Sequence, residues 1–265
     1  MKITALVENI SSCDLKAKHG LSLYIETKHH RILFDLGPNQ TLFQNAKKKK
    51  IDLTTVDIVI ISHGHADHGG ALREFLNINK KARIYIQKDA FLPHYTKTLF
   101  LKFPVGLDQT LMTHPQVTLV EGDYTIDEEL SLFTVTDTKR CRSPFNDVLY
   151  EKKKKDSFSH EQNLIIKEAQ TVLIMGCGHA GVVNIMHRAE CYRPQVCIGG
   201  FHLTNPVTKR SASHVLLDEI AKELKCFGQV KFYTCHCSGK KAYQYLSLQM
   251  PNLFYLSCGE SLDLL

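Results

Sequence analysis

The sequence predicts an α+β protein in four layers, helix, sheet, sheet, helix. Three observations predict it. Apolar or alternating runs of strand length recur along the chain. Twice, once on each side of residues 141–162, a group of strands is followed by strand–helix alternation. The strands that alternate with helices are apolar at nearly every position, so both of their faces need cover. Two sheets packed face to face, with helices outside, satisfy all three.

The elements follow in order. ITALVEN (3–9), LSLYIET (21–27), RILFDLG (31–37) and DIVIISH (57–63) read as strands. Between the last two, TLFQNAKKKKID reads as a helix with Leu42, Phe43 and Ala46 on one side. A second helix is expected from about Asp67 through ALREFLNI, then the strand RIYIQ (83–87). TLVEGDYTI and LSLFTVTD are expected to pair antiparallel. The polar, Lys-rich stretch 141–162 interrupts the pattern and marks an excursion or the junction of two halves. Afterwards come NLIIKE, TVLIMGC (171–177), a helix at VVNIMHRAE and the run QVCIGGFHL (195–203). A helix at HVLLDEIAKELK, the strand VKFYTCHC, a helix at KKAYQYLSL and the strand NLFYLSC close the chain. The expected organisation is one domain over 1–265 with two pseudo-equivalent halves.

Bulk properties narrow the function. The 265 residues are 43% hydrophobic and 23% charged, ordinary for a globular chain. No apolar stretch has membrane-spanning length, and MKITALVENISS reads as a first strand rather than an export signal. Nine cysteines, without a C-x-x-C, read as reduced thiols in a cytoplasmic protein. Cys177 and Cys197 fall in apolar runs and read as core. The net charge is +6, but Lys47–Lys50 and Lys152–Lys155 supply eight of the 33 basic residues. Without those eight the balance is 25 basic to 27 acidic, and no aromatics interleave with the runs. They read as solvated segments, so no nucleic-acid partner is expected. Nothing in the sequence speaks to oligomeric state.

Chemistry concentrates in I-S-H-G-H-A-D-H-G-G (61–70). A histidine-rich polar loop is the bland reading. An extended chain, however, points residues i and i+2 to one side, so His63 and His65 can face one cation beyond the strand end. Gly64 between them removes a side chain that would crowd the turn. Asp67 and His68 can face a second position nearby, and zinc-like ions accept imidazole and carboxylate in such sets. Three later runs also end in histidine, at His179, His202 and His236. One such histidine alone would read as a core or surface residue. Four strands with the same apolar lead-in point to convergence on one edge of a sandwich. His29, His30, His94, His114 and His187 show no such placement and read as structural or solvent residues.

His63, His65, Asp67 and His68 match H-x-H-x-D-H, and here the sequence resembles the metallo-β-lactamase family, an αββα sandwich with metals at the sheet edge. HGLSLYIE (19–26), ILFDLG (32–37), IDLTTVDIVIISHGHADHGG (51–70), GCGHAGVVNI (176–185), GGFHL (199–203) and CHCSG (235–239) extend the resemblance over nearly the whole chain. They are similar to the branch of metal-dependent hydrolases that includes the 7,8-dihydropterin-6-yl-methyl-4-(β-D-ribofuranosyl)aminobenzene 5′-phosphate synthases. The resemblance implies that His63, His65 and His179 hold one metal and Asp67, His68 and His236 a second. Asp35, in FDLG, matches a carboxylate behind the ligands, where it would fix a histidine tautomer; a strand-end turn residue is the alternative. One departure stands out. Many relatives carry a bridging aspartate between the third and last histidines, whereas here Asp218, inside an apparent helix, is the only one. His202 occupies the expected region, as a ligand, a phosphate contact or a transition-state donor.

The expected function is therefore a metal-dependent hydrolase with a binuclear site, zinc first, with iron, manganese or nickel able to fit the same donors. Hydroxide generated at the cations, oriented by Asp67, would attack a small phosphate ester or phosphodiester; His202 or His236 would donate to developing charge. Lys139 and Arg140 are candidate anion contacts beside otherwise solvent-exposed readings. The substrate implied is small, phosphorylated or pterin-like. A pterin-ribose condensing synthase, a diiron redox protein and a non-catalytic ligand-binding member of the fold are the alternatives. Against the diiron reading, those members carry a carboxylate where His65 stands.

Overall fold

The structure is a computed structural model and describes residues 1–98 and 101–264. Two seven-stranded sheets form its centre. The first runs Ser261–Asp263, Lys2–Val7, Ser22–Glu26, Arg31–Phe34, Ile58–Ile61, Arg83–Gln87, Val117–Val120. The second runs Leu253–Tyr255, Lys231–Thr234, Val196–Gly199, Thr171–Ile174, Asn163–Lys167, Leu130–Phe133, Tyr124–Thr125. Each is antiparallel at one side and parallel at the other.

Strand alternation explains the layering. In the first sheet Ile32, Phe34, Ile58 and Ile60 face the second sheet and pack with Leu164, Ile166, Val172 and Ile198. Their neighbours Leu33, Val59 and Ile61 face outward, onto Leu42, Ala46 and Phe75 of the covering helices. In the second sheet Leu173 and Cys197 face outward and meet Val183, Met186 and Ile220. Period-two exposure to two different apolar partners is why these strands are apolar throughout. Each fully buried Leu, Ile or Phe contributes about 1.5–3 kcal/mol relative to an exposed one. The three apolar interfaces between these layers are therefore the main source of stability.

Several expectations shift in detail. The helix expected from Asp67 is two pieces, Ala66–Gly69 and Leu72–Ile78. It breaks where Gly70 passes Pro38; a Cβ there would lie 2.5 Å from the Pro38 carbonyl oxygen. The run TLVEGDYTI does not pair as one strand with LSLFTVTD. Val117–Val120 joins the first sheet and only Tyr124–Thr125 pairs antiparallel with Leu130–Phe133. Gly122, at positive φ, turns the chain between the two sheets. The strand Ser261–Asp263 at the edge of the first sheet is an addition to the expected elements.

Residues 141–162 are an excursion with structure of its own. Leu149–Glu151 and Lys154–Lys155 join His94–Thr98 and Leu101–Pro104 in a small four-stranded sheet. That sheet stands over the edge where the parallel strands end. Among the described residues no helix is long and apolar enough to cross a membrane.

Candidate metal centre

Parallel strands all deliver their carboxyl ends to one edge, where ligands ordinarily bind in open α/β sheets. Asp35 follows Arg31–Phe34, His63 follows Ile58–Ile61, and His179 follows Thr171–Ile174. His202 follows Val196–Gly199, and His236 follows Lys231–Thr234. Asp35, His202 and His236 all sit in the left-handed region, at φ 61, 51 and 50. Such conformations cost of order 1–3 kcal/mol each and persist only where the surroundings hold them.

At this edge the structure brings together His63, His65, His68, His179, His202 and His236, all buried, with the partly open Asp67. Their ring orientations are set from behind. His68 donates Nδ1–H to Asp35 Oδ2 at 2.6 Å. Ser62 Oγ donates to the same carboxylate at 2.7 Å, so it accepts from His63 Nδ1 at 2.8 Å. His179 Nδ1 donates to Asn146 Oδ1 at 2.8 Å, and the Asn146 amide donates back to the His179 carbonyl at 2.8 Å. His236 Nδ1 faces Asn9 Oδ1 at 3.0 Å, and Asn9 returns its amide to the His236 carbonyl at 2.9 Å. In both asparagine clamps the carbonyl contact fixes which end of the amide is oxygen. Four imidazoles are thereby locked with a proton on Nδ1 and a lone pair on Nε2.

Those lone pairs converge. His68 Nε2 lies 3.1 Å from His236 Nε2, and His63 Nε2 lies 3.1 Å from His65 Nδ1. Asp67 Oδ2 lies 3.3 Å from His236 Nε2 and 3.8 Å from His68 Nε2. His179 Nε2 and His65 Nε2 are buried without any partner. Buried lone pairs that face one another, or that have no partner, are costly unless a cation or a proton sits among them. The donor set therefore fits divalent metal: His63, His65 and His179 form one group within 4.8 Å, and Asp67, His68 and His236 close the other side.

The electrostatics agree. Burial, with the neighbouring imidazoles, holds His63 and His179 well below the ordinary histidine range, and burial lowers His65 to about 3. Neutral imidazole is the ligand form. For His68 burial also opposes the charge, but the Asp35 and Asp67 carboxylates outweigh it and raise its pKa to about 9. Burial pushes the Asp67 carboxyl up, and His68, His236 and His19 more than reverse it, holding it well below the carboxylate range.

A layer of residues behind the site was not visible in the sequence. Glu161 accepts from the backbone N–H of His179 and Ala180 at 2.7 and 2.8 Å, and burial raises its pKa to about 7. Glu8 does the same for His236 N–H, at 2.6 Å. Cys177, read as core, is buried but opens onto the site, with Sγ 3.2 Å from His68 Nε2. His94, read as structural or solvent, lies under the site. Its Nδ1 lies 3.0 Å from Asp156 Oδ2, and His160 Nε2 lies 3.2 Å from the same carboxylate. His160 Nδ1 accepts from Gly64 N–H at 3.0 Å, which pins the turn carrying His63 and His65. A Cβ on Gly64 would lie 2.5 Å from the Ala90 carbonyl oxygen and 2.7 Å from His94 Nε2, so the turn closes only around glycine.

Asp156 gives a stability prediction. Burial pushes its carboxyl up, yet the bonds from His160 and His94 hold it well below the carboxylate range. A depressed folded-state pKa contributes stability above the ordinary value of 3.8, and that contribution is lost as pH falls below it. Asp156→Asn is expected to destabilise by about 1.5–3 kcal/mol at neutral pH, as losing hydrogen bonds to a buried charged group does. The difference from wild type should shrink below about pH 4. Denaturant melts across pH test this; a deficit independent of pH would refute it.

A cavity of ≈ 570 Å³ opens over the centre. His65, Asp67, Cys177, His179, His202 and His236 form its floor, and Val105, Phe145, Val148 and Leu149 are among the apolar walls. Lys209, Lys240 and Lys241 reach it from one side. Arg140 does not: it is engaged at the surface with Glu223 and His187, 3.2 Å from each.

Comparison with known proteins agrees with this geometry. The metallo-β-lactamase superfamily profile matches residues 16–139. A Methanocaldococcus jannaschii protein without an assigned activity is 28% identical over 97% of this chain and 98% of its own. The 7,8-dihydropterin-6-methyl-4-(β-D-ribofuranosyl)-aminobenzene-5′-phosphate synthase of the same organism is 26% identical, over 91% of this chain and 89% of that one. Among solved structures, a metal-dependent hydrolase of the β-lactamase superfamily superposes with TM-score 0.83 at 26% identity, covering 100% and 99% of the two chains. With its two sheets, outer helices and histidine edge, this chain has the metallo-β-lactamase fold.

Proposed function

We propose that the protein is a binuclear metal-dependent hydrolase acting on a small phosphate ester or phosphodiester. The observation that carries this is the set of Nε2 lone pairs, each locked from behind, converging beside Asp67 on the floor of a cavity with a lysine side. His63, His65 and His179 would hold one ion and Asp67, His68 and His236 the other. When bound, the ions supply Lewis acidity and bring the pKa of water near neutrality. Imidazole with carboxylate makes zinc the first choice.

The chain's own residues do the rest. Asp67 is partly open to the cavity and accepts from the attacking water, setting its line of approach. His202 is buried with both ring nitrogens free of partners, placed to donate to negative charge developing on the substrate. Lys209, Lys240 and Lys241 hold anionic oxygens. A diphosphatase of the PhnP family shares the fold at TM-score 0.58 and 13% identity, which supports the fold alone. Nine unpaired cysteines support a reducing, cytoplasmic setting.

Protein stripped with a chelator and reloaded with zinc should hydrolyse bis(p-nitrophenyl) phosphate in preference to a lactam or a thioester. Full metal content without phosphoester turnover would overturn the reading. His202→Ala should lower kcat by about 10²–10³ with metal content unchanged; lost metal would make it a ligand instead. Lys240→Gln with Lys241→Gln should raise KM about tenfold and spare kcat, as lost uniform binding does.

A condensing synthase is the second reading, favoured by the 26% identical relative. The cavity has room for a two-part substrate, since such sites run about 300–1,000 Å³. Incubation with a reduced pterin and a phosphoribosyl-aminobenzene compound separates the two: a coupled product favours the synthase, phosphate release alone the hydrolase.

A further inference from the structure

The carboxylate expected between the two metal positions is absent. Asp218 sits on the outer helix His214–Leu224, where Tyr245 and Gln249 bond to it at 2.9 and 2.8 Å. The central position is filled by sulfur. Cys177 Sγ is 3.2 Å from His68 Nε2. It also groups within 4.8 Å with His63 and His68, with His179 and His202, and with His236 and Cys237. It therefore neighbours two ligands from each trio. Donors around one tetrahedral ion, with bonds of about 2.0–2.3 Å, stand about this far apart.

We propose that Cys177 is the shared ligand of the two metal positions. The inference rests on the two-metal reading above. On loading, the Cys177 thiol would give up its proton to water in the cavity and its sulfur would serve as a donor to both ions. Neither oxidation nor reduction is involved. A second observation points to a ligand here: His179 Nε2, beside this sulfur, is buried without a partner. Cys237 groups with Cys177 and His236 and serves as the control. Soft sulfur at the centre favours zinc, cobalt or iron over magnesium or manganese.

Cobalt titration of the chelator-stripped protein tests this. The near-ultraviolet sulfur-to-cobalt charge-transfer band should appear with the first equivalent and grow again with the second. Cys177→Ser should abolish the band and weaken the second ion at least about tenfold, while Cys237→Ser keeps the wild-type spectrum. Cys177→Asp should bind two cobalt ions without the band. A band that survives Cys177→Ser, vanishes with Cys237→Ser, saturates at one equivalent, or is missing from wild type loaded with two ions overturns the proposal. Should the Cys177 variants fail to fold, the wild-type titration and Cys237→Ser still decide it. Failure to bind two ions at all sinks the two-metal reading as well. A protein inactive on phosphoesters can pass every arm, so the metal result and the substrate result stand apart.

Discussion

Replacing Asp67 with alanine is expected to lower phosphoester turnover by at least about a thousandfold, in line with loss of a group acting on the proton and the nucleophile. The fold should survive. Asp67 is 26% exposed, and its partners are the rings of His19, His68 and His236 rather than backbone. Its removal leaves no buried hydrogen-bond donor that cannot turn to water or to the remaining site. Circular dichroism should match wild type, and the second ion should bind more weakly. The assay belongs at saturating metal, so that weak binding and lost chemistry are told apart. Asp67→Asn keeps the shape and one acceptor oxygen, and should fall between. Retained turnover in Asp67→Ala, with both ions bound, would remove the assigned role.

Asp35→Ala is expected to act through both stability and metal. The carboxylate is fully buried and accepts from Ser62 N–H and Oγ at 2.7 Å each, and from His68 Nδ1 at 2.6 Å. Without it, Ser62 and His68 keep buried donors with no acceptor. A loss of about 3–5 kcal/mol follows, which at about 2–4 °C per kcal/mol lowers Tm by roughly 10 °C. The freed rings of His63 and His68 should weaken metal binding about 10–100-fold, as other groups behind metal ligands do. Alanine at φ 61 adds backbone strain, so Asp35→Gly separates the lost carboxylate from the left-handed turn. Unchanged melting and unchanged affinity in Asp35→Gly would mean that the carboxylate orients nothing.

The sequence by itself determined the layering and one half of the site. Period-two alternation and apolar saturation are local properties. They reveal that Ile58–Ile61 and Thr171–Ile174 are covered on both faces without any knowledge of what covers them. The H-x-H-x-D-H spacing is local too, and His179, His202 and His236 announce themselves by following strands of the same kind. The break at Gly70 and the division of TLVEGDYTI between two sheets were less visible, because a close approach to Pro38 and a change of sheet are decided by neighbours, not by the segment.

What only the tertiary structure decided is the support and the centre of the site. Asn9 clamps His236 across 227 residues, and Glu8 holds its backbone across 228. Asn146 clamps His179 from within a stretch read as an interruption, and Asp156 with His160 pins Gly64 from the same stretch. Cys177 meets His68 across 109 residues, in an apolar run where a buried thiol reads as core. No period or spacing encodes such pairs. A hydrogen bond or a metal bond is set by angles and tenths of an ångström between groups on different strands, and those exist only after the sheets have packed.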